Sequence, residues 1–138
     1  MVSWVIEGVL TTSARPGYRP GAETVVPRST IDAWVEAAQA AGVRSIICLL
    51  GEDQLPLYVD ALPEGLLDHY QQVGFEVAHV AARDGLTEPY SSEQLQTAWL
   101  AFQRLARPVL VHCSAGHDRT GRVVRHLLSK LEAEGKGR

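Results

Sequence analysis

The chain has 138 residues, 46% of them hydrophobic and 21% charged, a balance that suits one soluble globular domain with its own core rather than a disordered segment. The formal net charge is −3 with no basic block, which argues against nucleic acid as a partner. No apolar run reaches the length of a membrane span, and the start MVSWVIEG lacks a basic region ahead of a long apolar core, so neither a membrane segment nor a signal peptide is expected. Two cysteines, Cys48 and Cys113, suit reduced thiols in a cytoplasmic protein.

Trp4 to Ile6 and Val9 to Thr11 read as short strands around Gly8, and residues 13–28, rich in Pro, Gly and Arg, read as a loop. Ser29 or Thr30 is placed to cap a helix running to about Ala41; Ile31, Trp34, Val35 and Ala38 share one face, and Gly42 supplies the stop. Val43 to Leu50, VRSIICLL, is almost continuously apolar, as in a strand covered on both faces. A short helix over Leu66 to Val73 ends at Gly74, and a strand follows over Phe75 to Ala81. Ser91 opens a helix to about Leu105, with Gln94 placed for a capping box, and Pro108 blocks continuation. A strand over Val109 to Val111 and a helix over Thr120 to Glu134 complete the chain, which predicts an α/β fold with a central, mainly parallel sheet flanked by helices in a single domain, 1–138. Trp4, Trp34, Trp99 and Phe102 are read as core, and Cys48 as core packing within its apolar strand.

Residues 112–121, HCSAGHDRTG, join the last strand to the last helix. Strand, tight loop and helix is the geometry in which backbone N–H groups converge at a helix N-terminus and bind an anion. A phosphomonoester is dianionic, and its hydrolysis needs that charge neutralised and a nucleophile in line. Backbone donors along Ser114, Ala115, Gly116, His117, Asp118 and Arg119 serve the first need. Arg119 adds a planar fork for two phosphoryl oxygens, and the helix adds its positive end. Cys113 serves the second need: the same field favours its thiolate, and a covalent phosphocysteine splits the reaction into two easier steps. His112 is expected to orient the loop and to help depress the thiol pKa, and the Thr120 hydroxyl to hydrogen-bond the sulfur as it leaves. Asp118 either holds the loop or a substrate group, or is an exposed loop carboxylate. Gly116 to Gly121 also spells half of a nucleotide-binding loop, but Arg122-Val123 stands where the phosphate-gripping Lys and the Mg-binding hydroxyl belong. Cys113 and His117 are not extended by further ligands at zinc-site spacing, so no metal is expected.

This decade resembles the signature loop of the cysteine-dependent protein tyrosine phosphatases, especially the small atypical dual-specificity phosphatases. SWVIEGVLTTSARPG resembles their entry strands, AAGVRSIICLL their helix-to-strand segment, and ARDGLTEPYSSEQL their general-acid loop with the helix after it. The resemblance implies a phosphatase-type α/β fold and a phosphatase without cofactors that acts on phosphotyrosine, and on phosphoserine or phosphothreonine, in proteins or peptides; a phosphoinositide or another non-protein phosphoester is the alternative substrate, and a phosphate-binding module without turnover is the alternative to an enzyme. It implies a general acid after the strand that ends near Ala81. Asp84 stands there, 29 residues before Cys113, beside Gly85; Glu88 is second in line. Phosphoinositide-preferring members often carry Lys where His117 stands, which weakens the lipid reading. A monomer is expected, with a phosphorylated protein or peptide as its partner and neither nucleic acid nor membrane.

Overall fold

The apolar run VRSIICLL becomes the centre of the sheet. The computed structural model describes residues 2–81 and 90–136. Among these, strands β1 (Ser3–Ile6), β2 (Leu10–Ser13), β3 (Ser45–Cys48), β4 (Glu76–His79) and β5 (Val109–His112) lie in the order β1-β2-β5-β3-β4. β1 pairs antiparallel with β2, while the β2–β5, β5–β3 and β3–β4 pairs are parallel. Side chains of a strand alternate between its faces, so a strand with helices on both sides must be apolar at successive positions. Ile46, Cys48 and Leu50 pack with Leu110 against α1 (Arg28–Ala40) and α2 (Leu66–Gln72). Ile47 and Leu49 pack with Leu10, Val109 and Val111 against α3 (Ser92–Arg104) and α4 (Asp118–Lys136). Each fully buried Ile or Leu in these layers contributes roughly 1.5–3 kcal/mol.

Local sequence explains most of the helix boundaries. Ser91 and Gln94 form the capping box: Gln94 N–H donates to Ser91 Oγ at 3.2 Å and Ser91 N–H donates to Gln94 Oε1 at 2.9 Å. The same Gln94 amide donates to the Ala81 carbonyl at 3.1 Å and so ties α3 to the chain leaving β4. α1 differs from expectation. Its cap is Pro27 rather than Ser29 or Thr30, with no side-chain cap bond; the Pro27 carbonyl accepts from Thr30 and Ile31 instead. Proline's fixed φ starts a helix without needing a donor, so the two hydroxyl residues fall inside the first turn. α4 extends beyond the expected range at both ends, and a 3-10 turn at Leu55–Tyr58 went unforeseen.

Trp34, Trp99 and Phe102 are buried as expected, but Trp4 is 40% exposed. β1 is an edge strand paired only with β2, so apolar residues on it do not guarantee burial. The register places Ser13, His112 and Cys48 side by side across β2, β5 and β3, and the three strands therefore end level with one another.

Candidate active site

The site stands beyond those level strand ends, where parallel α/β sheets bind ligands. Residues 113–117 form the loop between β5 and α4, and α4 starts at Asp118. Gly116 sets the loop's shape. Its φ is +85°, and an added Cβ would lie 2.9 Å from the Ser13 carbonyl oxygen and 3.0 Å from its carbon. Both the backbone conformation and the packing therefore require glycine. The wall it presses on is itself held, because Trp34 Nε1 donates to the Ala14 carbonyl at 3.0 Å.

The loop's beginning and end are sealed, while its middle is open. Cys113 is 3% exposed, Arg119 2%, and Ser114 and Thr120 are also buried; Ala115 and Gly116 are half-buried, and His117 and Asp118 are exposed. Asp118 opens α4, where a carboxylate suits the positive end of the helix. A cavity of about 660 Å³ adjoins the loop's open side, lined in part by Thr12, Gly116, His117, Arg122 and Arg125.

Arg119 reaches across to the segment after β3. Its Nη1 donates to the Leu49 carbonyl at 3.2 Å and its Nη2 to Gln54 Oε1 at 2.9 Å. Gln54 is fully buried and uses both ends of its amide, for its Nε2 donates to Ser114 Oγ at 3.1 Å. That hydroxyl also accepts from Arg15 Nε at 3.2 Å, and the Arg15 backbone N–H donates to the Ser114 carbonyl at 2.9 Å. Neither Gln54 nor Arg15 was singled out from sequence. Arg15 lay in a stretch read as a loop, yet it stands two residues past the end of β2, which the sheet brings beside β5.

His112 lies fully buried between two partners. A carbonyl only accepts, so Nδ1 carries the proton and donates to the Cys113 carbonyl at 3.0 Å; Nε2 then accepts from the Tyr70 hydroxyl at 2.9 Å. Burial, with smaller contributions from Arg119 and Arg15, pushes His112 down to about 4 against an opposing contribution from the Cys113 carbonyl bond. The ring is therefore neutral at pH 7. It holds the carbonyl of Cys113, the first residue of the loop, and brings no positive charge to the thiol beside it. The Thr120 hydroxyl is buried without a hydrogen-bond partner among the described residues. Cys48 is a free, fully buried thiol that burial pushes up to about 12.

Asp84 and Glu88 lie outside the described residues. Among the described residues no group of three or more His, Cys, Asp or Glu side chains is placed to hold a metal ion, and no helix is long and apolar enough to cross a membrane.

A thiol at the end of a buried parallel strand, a glycine-shaped loop and an arginine in the first turn of the following helix define the cysteine-based phosphatase architecture. The model of the tyrosine phosphatase family matches residues 64–136, more than half of the chain, and the protein belongs to that family. Among solved structures it is similar to a mutant form of Tk-PTP, with a TM-score of 0.68 and 24% identity over 96% of this chain and 73% of that one. It is also similar to the core catalytic domain of the PP-IP phosphatase SIW14 from S. cerevisiae, with a TM-score of 0.57 and 21% identity over 89% of this chain and 61% of that one. Comparison with curated proteins gives no match. The mainly parallel sheet with flanking helices matches the fold of these neighbours, as the sequence led one to expect.

Proposed function

We propose that the protein hydrolyses phosphotyrosine, and with it phosphoserine and phosphothreonine, in proteins or peptides, acting as a monomer in the cytoplasm without a cofactor. The observation that carries this reading is the cradle itself: Gly116 folded against Ser13 so that the loop turns between Cys113 and Arg119. The Cys113 thiolate attacks phosphorus, the bond from phosphorus to the leaving oxygen breaks, and Asp84 gives that oxygen its proton. Water then attacks the phosphocysteine, the S–P bond breaks, and Asp84 takes the water's proton. Arg119, its guanidinium braced by Leu49 and Gln54, grips the phosphoryl oxygens with the loop N–H groups throughout.

A second reading has one observation in its favour. The cavity beside the loop carries His117, Arg122 and Arg125 against the single carboxylate of Asp118, a balance suited to a further phosphate of a non-protein phosphoester. A turnover screen decides between the two: phosphotyrosine, phosphoserine and phosphothreonine peptides against phosphoinositides and the PP-IP class on which SIW14 acts. Preference for the peptides supports the protein substrate, and preference for the others supports the second reading. Cys113→Ser abolishes turnover while tungstate still binds; hydrolysis retained in that variant refutes the phosphocysteine mechanism.

A further inference from the structure

Arg15 is the least expected group in the molecule. A guanidinium stays charged at any working pH and is expensive to bury without an anion. Arg15 is nevertheless only 2% exposed, and among the described residues no carboxylate lies within ion-pair distance of it. Its partners among the described residues are all neutral: Ser114 Oγ at 3.2 Å, the Tyr58 hydroxyl at 3.1 Å, the Pro16 carbonyl at 3.5 Å and the Tyr18 ring, 6.0 Å from its centroid. Tyr58 is committed to this arrangement. Its own hydroxyl donates to the Pro16 carbonyl at 2.7 Å, and burial holds it protonated, pushed up to about 12. Among the described residues, the pocket around Arg15 therefore holds a cation without neutralising it.

The position of that cation gives it a use. Arg15 meets the signature loop twice at Ser114, the residue after Cys113, through its backbone N–H and its Nε. Gln54 joins the same hydroxyl to Arg119. The two arginines thus approach the loop from different strand ends and share one hydrogen-bonded connection through Ser114 and Gln54. We propose that Arg15 is a positioning residue of the phosphate site: it fixes Ser114 and supplies, from behind the loop, a permanent positive charge that is complemented by the bound phosphoryl dianion. This rests on the reading of residues 113–119 as an anion cradle. It adds that the cradle discriminates by ligand charge, favouring the dianionic phosphomonoester over a monoanion such as a phosphodiester.

Two oxyanions of the same tetrahedral shape separate charge from structure. Tungstate carries two negative charges and perrhenate one, so a fixed positive charge contributes about twice as much, in log affinity, to the first as to the second. A merely structural residue affects both alike. Binding of each is measured by calorimetry in the Cys113→Ser protein, where no covalent adduct forms, with Arg15 intact, Arg15→Gln and Arg15→Lys. Arg15→Gln is expected to weaken tungstate on the order of tenfold and perrhenate only about threefold. Arg15→Lys, which keeps the charge and loses the fork, is expected to stay within about threefold of the parent for both. Unchanged tungstate affinity in Arg15→Gln, or equal losses for the two anions, overturns the proposal. If Arg15→Gln does not fold, Arg15→Lys decides. Near-parental affinity with the tungstate-over-perrhenate preference kept supports the proposal, and loss of that preference overturns it. Failure of the phosphatase reading shows separately, as absence of turnover in the unaltered enzyme.

Discussion

Acidification strikes this fold at His112. Burial holds the folded ring at about 4, whereas in the unfolded chain it titrates near 6.5. Between those values the unfolded chain binds a proton that the native state refuses, so stability falls as pH falls. The contribution of this group is fully present above 6.5, is lost progressively down to 4, and changes no further below that. The whole span corresponds to about 3 kcal/mol, and a step from pH 7.5 to pH 5 removes about 2 kcal/mol, or roughly 7 °C in Tm for a chain of this size. Because His112 sits at full burial with both nitrogens engaged by neutral groups, solvent screening does not reduce the figure. The comparison is with His112→Asn, whose amide retains a donor for the Cys113 carbonyl and does not titrate. Urea unfolding of both proteins at several pH values from 7.5 to 5 gives two curves. Exposed carboxylates and the remaining histidines act alike in each, including His126, whose downward shift from burial and Lys130 has the same sign. The variant is expected to be less stable at pH 7.5 and to close that gap by about 2 kcal/mol at pH 5. Parallel curves refute the neutral, doubly bonded histidine.

The remaining predictions concern the loop, the second thiol and the acid. Gly116→Ala places a methyl 2.9 Å from a carbonyl oxygen in a braced backbone, so turnover is expected to fall more than about 100-fold; a crystal structure with an unaltered loop and full activity refutes the packing argument. At pH 8 a thiol held at about 12 is ionised in only about 1 molecule in 10,000, so iodoacetamide should leave Cys48 unlabelled in the native protein, as peptide mass spectrometry reads directly. Asp84→Asn is expected to cut phosphotyrosine turnover by roughly 100- to 10,000-fold and to cost much less in single-turnover cleavage of an aryl phosphate with an acidic leaving group. Equal losses on both substrates remove Asp84 from the acid role and make Glu88 the next residue to substitute.

The sheet and the loop were legible because their signals are local. VRSIICLL announces a strand covered on both faces, Ser91 and Gln94 announce a helix start, and HCSAGHDRTG places a thiol, two glycines and an arginine where a strand meets a helix. What was missed depends on neighbours distant in sequence. Arg15 acquires its partners from residues 43 and 99 positions away, and Gln54 from residues 60 and 65 positions away. Nothing in either residue's own surroundings marks it. The protonation of His112 was likewise not legible, because it is set by burial and by the distant Tyr70 hydroxyl rather than by the neighbouring residues in sequence.

These distant contacts leave the site with an unusual division of labour. In the framework the titratable groups are held in their neutral forms: His112 down at about 4, Tyr58 and Cys48 up at about 12. The cations are guanidiniums, which keep their charge at any working pH. A cradle whose buried positive charge comes from arginine and helix peptide dipoles, rather than from His112, binds its anion without reference to the protonation of that histidine. The pH response of oxyanion binding should then follow the ligand, the reacting groups and the exposed side chains of the loop, while His112 contributes to the pH response of folding. One fold thus carries two separate titrations, and the same acid step that weakens the fold through His112 leaves the charge of Arg15 and Arg119 untouched.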